Sequence, residues 1–108
     1  MRGIVDLSIT YVYIIDSGLG MRKGKISSQV SHVAMKLARK YSVLGKAIIL
    51  KAQSEDFKKF IDMIDHGEID GEYIEDAGLT EVAPGTITCL GFRATDETKE
   101  LTKDLKLL

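Results

Sequence analysis

The sequence predicts a small α/β domain, a mixed four-stranded sheet with helices on both faces in the order β-α-β-α-β-β-α. Three observations lead there. The runs Ile9–Asp16 and Lys46–Ala52 are nearly continuous in apolar and β-branched character, as strands buried on both faces are. Each is followed by a segment whose apolar residues recur at helical spacing. Two strand–helix–strand crossovers of the usual right hand then set the first three strands parallel and pack helices onto the sheet.

The elements follow in order. Ile9–Asp16 ends as a strand at Ser17-Gly18. Residues 1–8 either extend it or lie against the domain edge. From Lys23 to Tyr41, Ile26, Val30, Val33, Ala34, Leu37 and Tyr41 share one side of a helix. Lys25, Gln29, His32, Lys36 and Arg39 form a narrow polar stripe on another side. Gly45 belongs to the turn before the second strand, Lys46–Ala52. Ser54 reads as the cap of a second helix, with Glu55 and Asp56 favourable in its first turn. Phe57, Phe60, Ile61 and Ile64 make its apolar stripe, and Gly67 marks its end. Glu72–Glu75 is a short third strand. A long loop from Asp76 contains Pro84-Gly85, a pair suited to the centre of a type II turn. Thr86–Phe92 returns as an antiparallel fourth strand. Thr95 caps a last helix from Asp96, and Leu105–Leu108 is an apolar tail that needs cover.

Composition narrows the class. The 108 residues suit one domain spanning 1–108 with one core. The apolar run near the start is too short to span a membrane, so a cytoplasmic protein is expected. Cys89 is the single cysteine, which rules out an internal disulfide, and its apolar neighbours favour a core residue over a reactive thiol. Neither Cys89 nor the two histidines, His32 and His66, fall at metal-ligand spacing, so no metal or other cofactor is expected. The net charge of −1 conceals an asymmetry: residues 1–53 hold nine Lys/Arg against two Asp/Glu, and residues 54–108 hold six against fourteen. A concentrated basic segment permits a polyanionic partner even at a mildly acidic pI, because local potential steers association. The competing reading is a solvated helix face balanced by acidic neighbours.

Two segments carry more specific information. One is Met21-Arg22-Lys23-Gly24-Lys25-Ile26-Ser27-Ser28-Gln29-Val30-Ser31-His32. The other is Asp76-Ala77-Gly78-Leu79-Thr80-Glu81-Val82-Ala83-Pro84-Gly85-Thr86-Ile87-Thr88-Cys89-Leu90-Gly91. Together they resemble the K-G-K-x-x-x-Q-x-x-H and D-A-G-x-T-x-x-x-P-G-T-x-T-x-L-G motifs of type-2 peptidyl-tRNA hydrolases. The closing Leu105-Lys106-Leu107-Leu108 is similar to that family's C-terminus. The resemblance runs from about Ile14 to the end and is thinnest between Tyr41 and Tyr73. It implies hydrolysis of the ester between peptide and tRNA on a mixed four-stranded sheet, commonly in a homodimer. By resemblance the catalytic positions are Lys25, Asp76, Thr80 and Thr88. Gln29 and His32 match positions lining the same site, and Lys23, Lys36 and Arg39 join them as candidate contacts to the tRNA acceptor arm. The chain departs from the family pattern at Asp16, Gly18, Arg93, Ala94 and Lys103.

The residue types suit the chemistry. Ester hydrolysis needs a positioned water, a proton acceptor and donors for the developing oxyanion. Lys25 at a helix start favours an anion, either a phosphate or that oxyanion. Asp76, where a strand gives way to a loop, either accepts a proton or orients Lys25 and a water; a carboxylate paired with lysine is a weak base, which favours orientation. The plainer alternative is that Asp76 only closes its own Asp-Ala-Gly turn. Thr88 is expected to share a strand face with Thr86 and Leu90. Two other classes stay open: an RNA-binding module without turnover, and a protein-interaction domain on the same scaffold.

Overall fold

The computed structural model describes residues 5–78 and 81–108. Strand β1 spans Val5–Asp16 and ends in a 3-10 turn at Ser17–Leu19. Helix α1 is Lys23–Tyr41, β2 Leu44–Ala52, α2 Ser54–Asp65, β3 Gly71–Glu75 and β4 Ile87–Arg93. Helix α3 is Asp96–Thr102, and a short strand β5, Lys106–Leu107, closes the chain.

The sheet has five strands in the order β3-β4-β1-β2-β5, one more than the sequence suggested. The extra strand is the apolar tail. It pairs antiparallel with β2 through Leu50↔Leu107 and Lys51↔Lys106. β1 and β2 are parallel neighbours, with Tyr13 opposite Ile49. β4 inserts between β1 and β3, antiparallel to both. The first three strands therefore share a direction, as expected, although β3 reaches the far edge. Their C-terminal ends meet one rim of the sheet, where open α/β sheets place their sites.

Each face has its own core, because successive side chains on a strand alternate. Ile9, Tyr11, Tyr13 and Ile15 of β1 pack with Val33 and Leu37 of α1. Val12 and Ile14 of β1 pack with Phe57, Phe60 and Ile61 of α2. Gly91 lets α1 approach β4 closely: a Cβ there would lie 2.8 Å from Val33 and 2.9 Å from Tyr13. That close approach sets the depth of α1 and hence of the side chains on its first turns.

Local signals explain most boundaries. Thr95 caps α3 through a capping box with Thr98. Gly85 has φ 80° and Thr86 N–H donates to Ala83 O at 3.2 Å, the type II turn that Pro84-Gly85 suits. Ser54 differs from expectation. The cap position of α2 is Gln53, without a side-chain bond, and the Ser54 hydroxyl instead donates to Asp16 at 2.7 Å. Helix α2 begins one residue earlier than a Ser54 cap would place it, so Ser54 lies in the first turn, where the Asp16 carboxylate is a strong acceptor for its hydroxyl.

Candidate active site

The first turns of α1 face the segment that leaves β3. Lys25 is the third residue of α1 and its side chain is only 11% exposed. Its Nζ donates to Asp76 Oδ1 at 2.5 Å. One turn on, Gln29 is buried, and its Nε2 donates to the same Oδ1 at 3.3 Å. Asp76 Oδ2 accepts from Gly78 N–H at 2.6 Å. Asp76 thus closes its own turn and pairs with Lys25 at once. Its backbone is fixed as well: the N–H donates to Thr86 O and the carbonyl accepts from Gly85 N–H.

Lys25, donating to the carboxylate, holds Asp76 below the usual carboxylate range; the Gly78 N–H is the next cause, burial opposes both, and the positive charge of Lys25 and His32 adds a lesser lowering. The residue is an acceptor anchored by an ammonium, not a group poised to take protons at neutral pH.

Thr88 is fully buried, and its hydroxyl donates to Gln29 Oε1 at 2.6 Å. It does not share a face with Leu90, as strict alternation would require. Glu75 pairs with Ile87 and Ile74 with Cys89, so Thr88 is the extra residue of a β-bulge. The bulge turns Thr88 towards α1, while Leu90 stays in the core on the α2 side.

A cleft of about 310 Å³ opens beside the pair, lined in part by Lys25, Ser28, Gln29, His32 and Asp76. An adjoining cleft of about 270 Å³ is lined by Gly24, Lys25, Ser28 and Glu81. Lys25, Gln29, His32, Asp76 and Thr88 are therefore brought together. Lys36 and Arg39 lie further along α1, about 16 and 21 Å from Lys25 by helical rise, beside a separate groove. Lys36 Nζ donates to Tyr73 O at 2.9 Å. Lys23 is exposed at the start of α1 and lines neither cleft. Thr80 lies outside the described residues.

Two neighbours were not singled out from sequence. Ser28 lines both clefts, and its spacing of three from Lys25 would have placed it on the same helix face. Glu81 accepts from Arg22 N–H at 2.9 Å and Arg22 Nε at 2.7 Å, an acid held at a helix start that carries no acid of its own. The departures from the family pattern have structural partners. Asp16 takes the Gly18 N–H as well as Ser54, and Arg93 lies over the Tyr41 ring at 5.7 Å. Cys89 is buried with its thiol pushed up to about 12 by burial, as a core residue. Among the described residues no three His, Cys, Asp or Glu side chains gather as a metal would require.

Fold and site together define an open-sheet α/β protein with a lysine–aspartate pair at the rim where its parallel strands end. The family model for peptidyl-tRNA hydrolase PTH2 matches residues 9–108. A peptidyl-tRNA hydrolase of Staphylothermus marinus is 34% identical over 112 residues, covering 90% of this chain and 93% of the relative. One of Methanothermobacter thermautotrophicus is 34% identical over 109 residues, covering 90% and 97%. One of Methanococcus maripaludis strain C7 is 36% identical over 112 residues, covering 88% and 95%. This chain belongs to the PTH2 family of peptidyl-tRNA hydrolases. In fold alone it is similar to a solved protein of unknown function from Agrobacterium tumefaciens strain C58, with a TM-score of 0.72 at 7% identity over 95% of this chain and 99% of the other.

Proposed function

We propose that this chain hydrolyses the ester linking a peptide to the terminal ribose of tRNA, releasing the tRNA for reuse. The observation that carries the reading is the buried Lys25–Asp76 pair at the mouth of a cleft. Water adds to the ester carbonyl, and the tetrahedral oxyanion collapses. The ribose oxygen leaves with one proton, the peptide leaves as a carboxylate, and the second proton passes to solvent. The Lys25 ammonium stabilises the oxyanion or the neighbouring phosphate, and Asp76 holds Lys25 and a water in place. Thr80 and Thr88 complete the proposed set, and His32 and Ser28 border the substrate.

The wider binding reading rests on charge. Lys23, Lys36 and Arg39 extend the exposed face of α1 beyond the cleft, suited to phosphates of the acceptor arm. A homodimer is part of the same proposal. It is supported by exposed apolar residues around β1, β2 and β5: Leu7, Ile48, Leu107 and Leu108. The proposed place of action is the cytoplasm, where translation leaves its products; no helix among the described residues is long and apolar enough to cross a membrane.

The test is cleavage of a model peptidyl-tRNA with a chelator present. Multiple turnover is expected. Salt-dependent tRNA binding without cleavage would instead identify an RNA-binding module.

A further inference from the structure

Thr88 cannot meet a substrate in this structure. It is fully buried behind Gln29, and Gln29 is itself only 2% exposed. The chain of contacts is nevertheless continuous from Thr88 to Gln29 to Asp76 to Lys25. The bulge in β4 departs from regular pairing at the residue that starts this chain. Bulges beside sites commonly re-aim a side chain in this way.

Hydrogen-bond polarity fixes the direction of the chain. An ionised carboxylate only accepts, so the end of the Gln29 amide that meets Asp76 is the NH₂. The opposite end, which meets Thr88, is then the carbonyl oxygen, and the hydroxyl must donate. A hydroxyl can donate or accept, so the Asp76 carboxylate sets the orientation of the amide, and without the Thr88 hydroxyl the buried Gln29 carbonyl oxygen loses its donor from β4. A flipped amide would set a carbonyl oxygen against the Asp76 carboxylate.

The number of acceptor positions adds a consequence. A carboxylate offers about four. Lys25 and Gln29 occupy Oδ1 and Gly78 N–H occupies one position on Oδ2. Among the described residues one position remains, on Oδ2. We infer that Thr88 and Gln29 are positioning residues that lock the Asp76 carboxylate so that the acceptor position left on Oδ2 by the described residues holds the attacking water. The inference rests on the hydrolase reading and gives Thr88 a role that needs no contact with substrate.

The test combines kinetics with a titration of the Asp76 carboxyl followed by NMR, in Thr88→Val, Thr88→Ser, Gln29→Glu, Gln29→Ala and the Thr88→Val/Gln29→Ala double variant. Thr88→Val keeps shape and removes the donor. It should lower kcat by about tenfold to a hundredfold, the range for a lost hydrogen bond in a network on a charged group, and leave KM within about twofold. Thr88→Ser should restore most of the rate. The double variant should be no slower than Gln29→Ala. Gln29→Glu sets a second carboxylate beside Asp76, so the acid limb of the rate profile and the Asp76 titration should both move to higher pH. Wild-type kcat in Thr88→Val, losses that multiply in the double variant, or an effect on KM alone would overturn the inference. Should Thr88→Val not fold, Gln29→Glu decides: an unmoved Asp76 titration refutes the lock. A wild-type chain that cleaves nothing would defeat the hydrolase reading and with it the water site, whereas an active chain with the unmoved titration defeats the inference alone.

Discussion

Two aspartates stand on the same rim of the sheet and have been put to different use. Asp16 ends β1 and Asp76 follows β3, roughly 10 Å apart by two strand spacings. Both are buried, and each accepts the N–H of a glycine two residues on, Gly18 or Gly78. The local sequences, Asp-Ser-Gly and Asp-Ala-Gly, are nearly the same. Their remaining partners differ. Asp16 is tied to the neutral hydroxyl of Ser54 and binds the turn after β1 to the start of α2. Asp76 is tied to an ammonium and a buried amide beside a cleft. A turn-closing aspartate becomes a candidate site residue through what the helix packed beside it brings, and α1 brings Lys25.

Substitution should separate the two. Asp76→Asn should cut turnover by roughly 10²-fold or more, because a positioned charge and a positioned water are both lost. Asp16→Ala should leave turnover within about threefold. Its effect should appear in stability instead, at about 1–3 kcal/mol for buried hydrogen bonds left unmade. Single-turnover rates and denaturant melts of both variants check this; a 10²-fold rate loss in Asp16→Ala would erase the contrast.

A smaller effect is expected along α1. Lys36→Ala or Arg39→Ala should raise KM several-fold with little change in kcat, and tRNA affinity should fall as salt rises. Binding measured across a salt series gives the answer, and a flat profile would remove the phosphate stripe.

The smallest effect concerns pH. The pairing holds the Asp76 pKa below its unfolded value, so its stabilisation is present above about pH 4 and is lost as pH falls through the depressed folded value. Acid melts of Asp76→Asn should lack that component. Identical acid profiles in the two proteins would show that the pair does not contribute.

Much of this was legible in the sequence, and the exceptions share a cause. Helix α1 runs from Lys23 to Tyr41 as its periodicity indicates, because the apolar stripe alone defines it. Pro84-Gly85 and Thr95 act through their immediate neighbours and were equally readable. The fifth strand depends on an edge of β2 more than fifty residues away, and only two of its residues pair. Ser54 has every local mark of a cap, yet its hydroxyl goes to Asp16, 38 residues earlier. Thr88 is turned by a bulge that exists only in register with β3. In the site, the motifs brought Lys25, Gln29, His32, Asp76 and Thr88 into view. Only tertiary packing separates those that face the cleft from Thr88, which lies behind it.

The most direct measurement is the cycle of wild type, Lys25→Ala, Asp76→Asn and the double variant, by single-turnover cleavage with circular dichroism to confirm folding. If the two residues work as one unit, each single variant loses roughly 10²-fold or more and the double loses far less than the product. Losses that multiply strictly, or a near-wild-type rate in either single variant, would contradict a Lys25–Asp76 pair at the centre of the reaction.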